Sequence, residues 1–361
     1  MLTSQESDAL QQLTVIIPTM NRQTAVRAAV RQWKDVAAKI IVMDSSADSS
    51  AADYASLPGV VYRHLVAPLW DRYWRAAEMI RTPFGMLQSD DDVFVPKAIA
   101  HCINLLSEKS DYSAISPTAI KGGEPGWRLC YGQSVSWSNH AESTTDRLLH
   151  LGSNYLPSSI YGVCRSEWMR TSFSSMTAGP LPVFAFAELH HEFVLNALGK
   201  VCVLPEVGWL RRTTYDKISP ATQFPSQAWY RDLDSQYRRQ FVDGVAQAVA
   251  PILGEPIVDV RQSVDDALVL YAHSVAQNNS GSARRTLRQR VKAVYKQRIP
   301  EWARALLKPT IGKILSGSRK YKSWQDLSDD LDRLGIRLPP EAAVALQARE
   351  RLEAQIILGE R

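Results

Sequence analysis

Over its first hundred residues the chain alternates short apolar runs with stretches of helical spacing. Leu13-Thr-Val-Ile-Ile-Pro18 is apolar, β-branched and closed by proline, which predicts a buried strand. Val26, Val30, Trp33 and Val36–Ala37 then fall near helical spacing. Lys39-Ile-Ile-Val-Met-Asp44 predicts a second buried strand that runs into a Ser/Asp-rich loop, and Val60–Leu65 a third. Leu69, Tyr73 and Ile80 mark another helix, and Gly85-Met-Leu-Gln88 a short strand that leads into Asp90, Asp91 and Asp92. Pro96, followed by Ile99, Ile103 and Leu106, fits the first turn of the next helix. Strand–helix–strand alternation of this kind predicts an α/β domain with a largely parallel sheet.

Further along, the pattern changes. From about Ser107 to Ser153 it is irregular and rich in Gly, Ser and Trp, which predicts loops and short strands bordering a cleft. Ser159–Cys164 reads as a strand, Phe186–Leu198 as a helix ended at Gly199, and Lys200–Pro205 as another short strand. Beyond about Phe224 the strand signals fade into helices separated by Asn278–Ser282 and Pro339–Pro340. No internal repeat is evident.

At 361 residues, 45% hydrophobic and 22% charged, the composition is that of a globular enzyme with a smaller appendage. Cys102, Cys130, Cys164 and Cys202 are dispersed without a CxxC pair, which argues against a zinc ribbon or a disulfide scaffold and suits a reducing compartment. The polar N-terminus lacks the pattern of a signal peptide, and no apolar run approaches the roughly 18–20 residues that span a bilayer. The expectation is a cytoplasmic protein. Charge is uneven: Arg284–Lys322 holds 13 Lys/Arg against the single acid Glu301, a net +12. The rest of a chain whose total is +5 therefore carries −7.

The aspartates Asp90, Asp91 and Asp92 follow an apolar strand, and ligands of open α/β sheets bind beyond the carboxyl ends of strands. Adjacent carboxylates repel unless a cation neutralises them. Mg²⁺ or Mn²⁺ prefers oxygen ligands and takes one or two carboxylates plus substrate phosphates. In an extended segment Asp90 and Asp92 share a face, so these two are the candidate metal ligands. A solvated acidic turn is the alternative.

These residues lie in a wider resemblance. Thr14–Arg22 resembles the opening strand and loop of glycosyltransferases of the GT-A fold, a Rossmann-like nucleotide-binding sheet with a DXD motif. Ile40–Ser46 resembles their second strand, and Met86–Pro96 their DXD strand and its following proline. The likeness covers roughly residues 13–215 and is nearest to the inverting, family-2-like enzymes of bacterial surface-polysaccharide assembly. It implies a catalytic domain over 12–225, with a nucleotide-sugar half at about 12–100 and an acceptor half at about 101–225, then a helical region over 226–361. It also implies that Pro18, Thr19 and Arg22 line the nucleotide pocket, that Asp44 accepts from the base, and that Ser45 and Ser46 add hydroxyls. Arg72 or Arg75 matches the family's basic residue before the DXD strand. The donor implied is a UDP-sugar, the cofactor Mn²⁺ or Mg²⁺, and the acceptor a glycan or lipid-linked sugar.

An inverting transfer needs a group that deprotonates the acceptor hydroxyl. Glu188 in Ala187-Glu-Leu-His-His-Glu192 matches the family's acidic residue at a helix start, although Leu189 stands where a second acid is commoner. Asp146, His190 and His191 are rivals for this role. Adjacent helical residues diverge by about 100°, so His190 and His191 are not expected to share a metal ion. Arg211 or Arg212 is a candidate to face the pyrophosphate, and Trp127 or Trp137 to stack on a sugar ring. The basic stretch 284–322 interleaves Leu287, Val291, Val294 and Tyr295 with Arg285, Arg288, Lys292 and Lys296, which suits docking on an anionic membrane or packing on the acidic body. Nucleic acid is not expected, since no recognisable module accompanies the charge. Competing readings are a retaining transferase, a sugar-nucleotide pyrophosphorylase, and a noncatalytic glycan-binding or scaffold protein. The pyrophosphorylase is weakened because Pro18–Arg22 replaces a Gly-rich loop, and the scaffold because all three aspartates are present.

Overall fold

The computed structural model describes residues 2–122, 128–130, 137–176, 184–212, 235–275, 324–333, 335–338 and 340. Trp127 and the basic stretch 284–322 lie outside these residues. The described chain begins with α1 (Ser4–Gln11), β1 (Leu13–Thr19), α2 (Gln23–Gln32), β2 (Lys39–Asp44), β3 (Val60–His64), α3 (Leu69–Met79) and β4 (Phe84–Leu87). The strands β5 (Val93–Phe94), β6 (Tyr112–Gly122), β7 (Arg128–Leu129) and β8 (Ser138–Asn139) follow, with α4 (Pro96–Glu108) between β5 and β6. Next come α5 (Thr144–Ser153), β9 (Val163–Arg165), α6 (Ser166–Ser175), α7 (Phe184–Leu198), β10 (Lys200–Arg212) and α8 (Gln236–Leu253). A helix α9 over 257–275 and α10 (Trp324–Arg333) complete it.

Among the described residues these strands form one sheet in the order β3-β2-β1-β4-β9-β6-β10-β5, with β7 on β6 and β8 on β10. The pairs β1–β2, β2–β3, β1–β4 and β6–β10 are parallel, so the α/β expectation with a largely parallel sheet is met. Alternation along β1 explains the layering: Val15 and Ile17 enter the core under α1, α2 and α4, while Ile16 enters the core under α3 and α5–α9. Helices thus cover both faces, which is why β1 and β2 read as unbroken apolar runs. The late helices belong to this body. Phe241 of α8 is fully buried, edge-on to Phe193 at 5.1 Å and Phe186 at 5.2 Å. Burial of such a ring is worth roughly 2–3 kcal/mol.

Three departures from the sequence reading have physical causes. The segment expected to be irregular contains β6, an 11-residue central strand, and α5. Buried hydroxyls disguise β6: Ser113 Oγ donates to the Lys200 carbonyl at 3.2 Å, Ser116 Oγ to that of Ser158 at 2.5 Å, and Thr118 Oγ1 to that of Leu204 at 2.7 Å. A buried hydroxyl satisfied in this way costs little, so a strand need not read as apolar. Ser159–Tyr161 is a 3₁₀ turn rather than the start of a strand, and β9 is only three residues long. Finally, β10 does not stop at Pro205. Its register on β6 shifts between Leu204 and Val207, a bulge that absorbs the proline, and the strand continues to Arg212. Arg337 covers this bulge, donating its N–H to the Pro205 carbonyl at 2.8 Å and accepting from Val207 at 2.9 Å. Leu327 and Leu331 of α10 pack with Ile336 against Val95, Ala98, Val207 and Leu210. No helix among the described residues is long and apolar enough to cross a membrane.

Candidate active site

The chain runs from β1 outward through β2 to β3 and then crosses back by α3 to β4 on the other side of β1, so the strand order reverses at β1 and a crevice opens beyond the carboxyl ends of these parallel strands. Thr19 ends β1, Asp44 ends β2, and Asp90–Asp92 follow β4. Thr19 Oγ1 donates to Asp90 Oδ2 at 2.7 Å, and the Thr19 carbonyl accepts from the Ser45 N–H at 3.0 Å. Arg22 Nη1 meets Asp90 Oδ1 at 2.8 Å while its Nη2 meets Asp91. Ser89 Oγ donates to Asp91 Oδ1 at 2.5 Å. Pro18 is half-buried beside this cluster at the end of β1.

Burial sets the electrostatics. The Asp90 carboxyl is pushed up to about 6 by burial and by neighbouring Asp91, with Arg22, Thr19 and Arg72 pulling the other way. For Asp91 burial also acts upward, but Ser89 and Arg22 outweigh it and leave the group below its ordinary range. Asp92 is buried and accepts from the Trp209 indole N–H at 2.8 Å across from β10. Trp209 in turn stacks on Phe94 at 5.8 Å and lies 4.9 Å from Tyr161. The sequence reading missed Trp209. Its signal is the return of apolar alternation at Val207, Trp209 and the rest of β10 after Pro205.

Asp44 has no exposed surface and both its oxygens are engaged. Oδ1 accepts from Ser46 N at 2.8 Å and Ser46 Oγ at 2.5 Å; Oδ2 accepts from Gln23 Nε2 at 2.8 Å and Tyr62 Oη at 2.8 Å. Burial acts upward on this carboxyl, yet these donors hold it below the usual carboxylate range. Arg72 and Arg75, which the sequence leaves as alternatives, differ sharply. Arg72 is 5% exposed, with Nη1 donating to the carbonyls of Thr19 at 2.8 Å and Met43 at 3.2 Å; its Nε is buried without a partner among the described residues. Arg75 is exposed, pairs with Glu78 at 3.3 Å and lies over Trp74.

On the acceptor side, Glu188 of α7 accepts from Tyr155 Oη at 3.1 Å. Burial raises its carboxyl, and Tyr155 and the nearby Arg211 cation draw it back only partly. Tyr73 feels the charges of both Asp90 and Glu188, and Tyr161 those of Asp92 and Glu188, so each of these rings neighbours the α7 acid and one of the aspartates. Arg211 lies over the Trp209 ring at 5.2 Å, on the same strand as the Asp92 partner. Arg212 ends that strand opposite Gly122. Asp146 is exposed and bonded to Ser143 at the start of α5, which is a helix-capping arrangement. Trp137 donates to the Asn154 carbonyl at 3.0 Å and packs against the core.

His190 and His191 are core residues, 1% and 0% exposed. His191 Nδ1 lies 2.9 Å from Ser172 Oγ, while His190 has no ring-nitrogen partner among the described residues. Burial pushes both imidazoles down to about 3. Glu192, one turn past Glu188, is fully buried. Its Oε1 accepts from the N–H groups of Ser159 at 2.7 Å and Ile160 at 2.9 Å, and its Oε2 has no partner among the described residues. Burial pushes this carboxyl up to about 8, against those two donors. The sign follows by linkage. Between its ordinary value near 4.5 and about 8 the folded chain holds a proton that the unfolded chain loses, so this group's contribution falls as pH rises through that window. Glu192→Gln should flatten that decline, raising stability at pH 8 relative to pH 5 by about 1–3 kcal/mol against the parent. Thermal unfolding across pH checks it; a parallel decline in both proteins would assign the slope to other groups.

Among the described residues no cluster of three His, Cys, Asp or Glu side chains is preformed around a metal position. The donors at the strand ends are nevertheless carboxylate oxygens, which suit a hard divalent cation, provided that Arg22 withdraws from Asp90 and Asp91.

No family model and no curated protein matches the chain. Solved structures do. S. aureus TarS 1-349 in complex with UDP-GlcNAc superposes with a TM-score of 0.46 at 10% identity, over 74% of this chain and 92% of that one. The mannosyltransferase PcManGT from Pyrobaculum calidifontis, in complex with GDP-Man and Mn²⁺, gives 0.39 at 11% identity over 84% of each chain. Glucosyl-3-phosphoglycerate synthase from Mycobacterium tuberculosis, in complex with Mn²⁺, UDP and glucosyl-3-phosphoglycerate, gives 0.38 at 14% identity over 70% of this chain and 83% of that one.

Proposed function

We propose that this chain is a glycosyltransferase that moves a sugar, with inversion, from a UDP-sugar to a hydroxyl of a glycan or lipid-linked acceptor. The observation that carries the reading is the cleft itself. Buried carboxylates and two arginines meet at the carboxyl ends of β1, β2 and β4, and the half-buried acid Glu188 of α7 shares the neighbours Tyr73 and Tyr161 with the aspartates. In this reading Thr19, Arg22, Asp44, Ser45 and Arg72 hold the nucleotide, with Asp44 accepting from the base in place of the Gln23 amide. Asp90 and Asp92 hold Mn²⁺ or Mg²⁺. When bound, such a cation neutralises the diphosphate and stabilises it as it leaves. Glu188 takes the proton of the acceptor hydroxyl as that oxygen forms its bond to the anomeric carbon. The bond from that carbon to the phosphate oxygen breaks, and the electron pair leaves on the diphosphate. Arg211, whose charge acts on Glu188, meets part of that charge in this reading.

Thermal shift with UDP-, GDP- and dTDP-sugars, each with and without Mn²⁺, tests the reading, because a ligand of the native state raises its apparent stability. A metal-dependent rise with a UDP-sugar is expected. No rise with any nucleotide sugar, with or without Mn²⁺, would remove the donor site from the proposal.

A peripheral position on an anionic membrane belongs to the same proposal. The stretch 284–322 carries +12, and lipid-linked acceptors lie at such surfaces. Each engaged Lys or Arg contributes on the order of 1 kcal/mol. Flotation with liposomes should show binding that grows with anionic lipid and is lost when Arg285, Arg288, Lys292 and Lys296 become Gln. A parent protein that never floats, even at low salt, would leave the segment as packing on the body.

A further inference from the structure

We propose that Arg22 is a counter-ion latch: by occupying Asp90, one of the two carboxylates proposed to hold the cation, it makes divalent-cation binding conditional on the arrival of a nucleoside diphosphate. The latch rests on the nucleotide-sugar reading above and adds an order of events to it. Asn21, just before Arg22, adopts a left-handed φ of 57°, and its N–H is fixed by Ser46 Oγ at 2.8 Å. Asparagine tolerates this conformation better than most residues, and the turn brings Arg22 over the strand ends. Its guanidinium then spans two carboxylates, with Nη1 2.8 Å from Asp90 Oδ1 and Nη2 on Asp91 Oδ2. The other oxygens of that pair are used by Thr19 and Ser89. The acidic pair therefore already carries its own cation.

A metal ion cannot join this arrangement without displacing something. Divalent ions of the Mg²⁺ type need oxygen ligands at about 2.0–2.1 Å in near-octahedral geometry, and a guanidinium fork on the same oxygens blocks that approach. Arg22 is the group able to yield. Its side chain is 37% exposed, whereas Arg72, the other arginine of the site, is buried and tied to two backbone carbonyls. A released guanidinium needs another anion, and planar forks match phosphate oxygens as well as carboxylates. The diphosphate of the donor supplies one. Guanidinium and cation thus exchange partners: Arg22 passes to the diphosphate as the cation takes the carboxylates. Metal without nucleotide has to evict Arg22 into water with no such compensation. Cation and diphosphate are consequently coupled, and the coupling is reciprocal.

Paramagnetic resonance of free Mn²⁺, titrated with the full chain, reads this directly. UDP and GDP serve in separate arms, with Mn²⁺ held by nucleotide in solution subtracted. For the parent, nucleotide should tighten Mn²⁺ binding by about tenfold or more. Arg22→Gln should bind Mn²⁺ alone about tenfold more tightly than the parent and show a smaller gain from nucleotide. Arg22→Lys, which keeps the charge but loses the fork, should fall between the two. Thermal unfolding verifies that each variant is folded, as expected for a part-exposed loop residue. If Arg22→Gln binds Mn²⁺ alone no better than the parent, the latch is overturned while the nucleotide reading stands. If no protein binds Mn²⁺ even with nucleotide, the metal-dependent reading fails and the latch with it.

Discussion

Glu188→Gln will lower turnover by about 10²–10⁴-fold while leaving donor affinity at the parent value. Glutamine preserves the shape of the side chain and an oxygen acceptor for the Tyr155 hydroxyl, so packing is retained. What it cannot do is take a proton. Single-turnover kinetics with the true acceptor give the rate, and calorimetry with donor and Mn²⁺ gives the affinity. The pH profile adds a signature that a purely structural role would not produce. Burial lifts the Glu188 carboxyl above its ordinary range, with Tyr155 and Arg211 opposing. The base works only when ionised, so kcat of the parent should fall as pH drops through that raised value. The variant should lose this acid limb. A variant that turns over at the parent rate would move the base elsewhere and leave Glu188 as a half-buried acid beside Tyr155.

Asp92→Asn will weaken metal-dependent donor binding by about 10²-fold or more, since a desolvated charge loses its partner. Alanine at this position is the harsher variant. It leaves the buried Trp209 indole N–H without its acceptor, at a cost of about 1–3 kcal/mol in stability. Asparagine keeps an oxygen for Trp209 and removes only the charge, so it separates binding from folding. Calorimetry with and without EDTA reads the metal-dependent part. Unchanged donor affinity in Asp92→Asn, or in the parent under EDTA, would sink the proposed role of the aspartates in holding a cation.

Local patterns carried much of this architecture. The runs Leu13–Pro18 and Lys39–Asp44 are buried on both faces, so they stood out as strands, and the aspartates followed one as expected. What escaped was whatever depends on distant partners. β6 is masked by Ser113, Ser116 and Thr118, whose hydroxyls are satisfied by backbone that arrives from β10 and the Ser158 turn. No local pattern distinguishes Arg72 from Arg75 as a site residue. Both lie on α3, and only the fold shows that one faces the carbonyls of β1 and β2 while the other faces outward. Likewise the fate of Glu192 and the two histidines follows from α7 being covered on several sides. The polar run of Glu188, His190, His191 and Glu192 offered candidate bases, yet the last three lie inside the core.

The reach of β10 bears on when this protein becomes competent during its own synthesis. The partners of Asp90 and Asp91 lie on Thr19, Arg22 and Ser89, close enough for an N-terminal half-sheet to assemble around them early. Asp92 waits for an indole 117 residues downstream, on a strand whose parallel pairing with β6 closes a long loop. Such non-local pairings form late, because loop closure must precede the contacts that reward it. A nascent chain lacking residue 209 thus carries a half-built cleft, in which Asp92 has no indole to orient it. Protection of the chain by nucleotide and metal should accordingly appear only after β10 has emerged and docked.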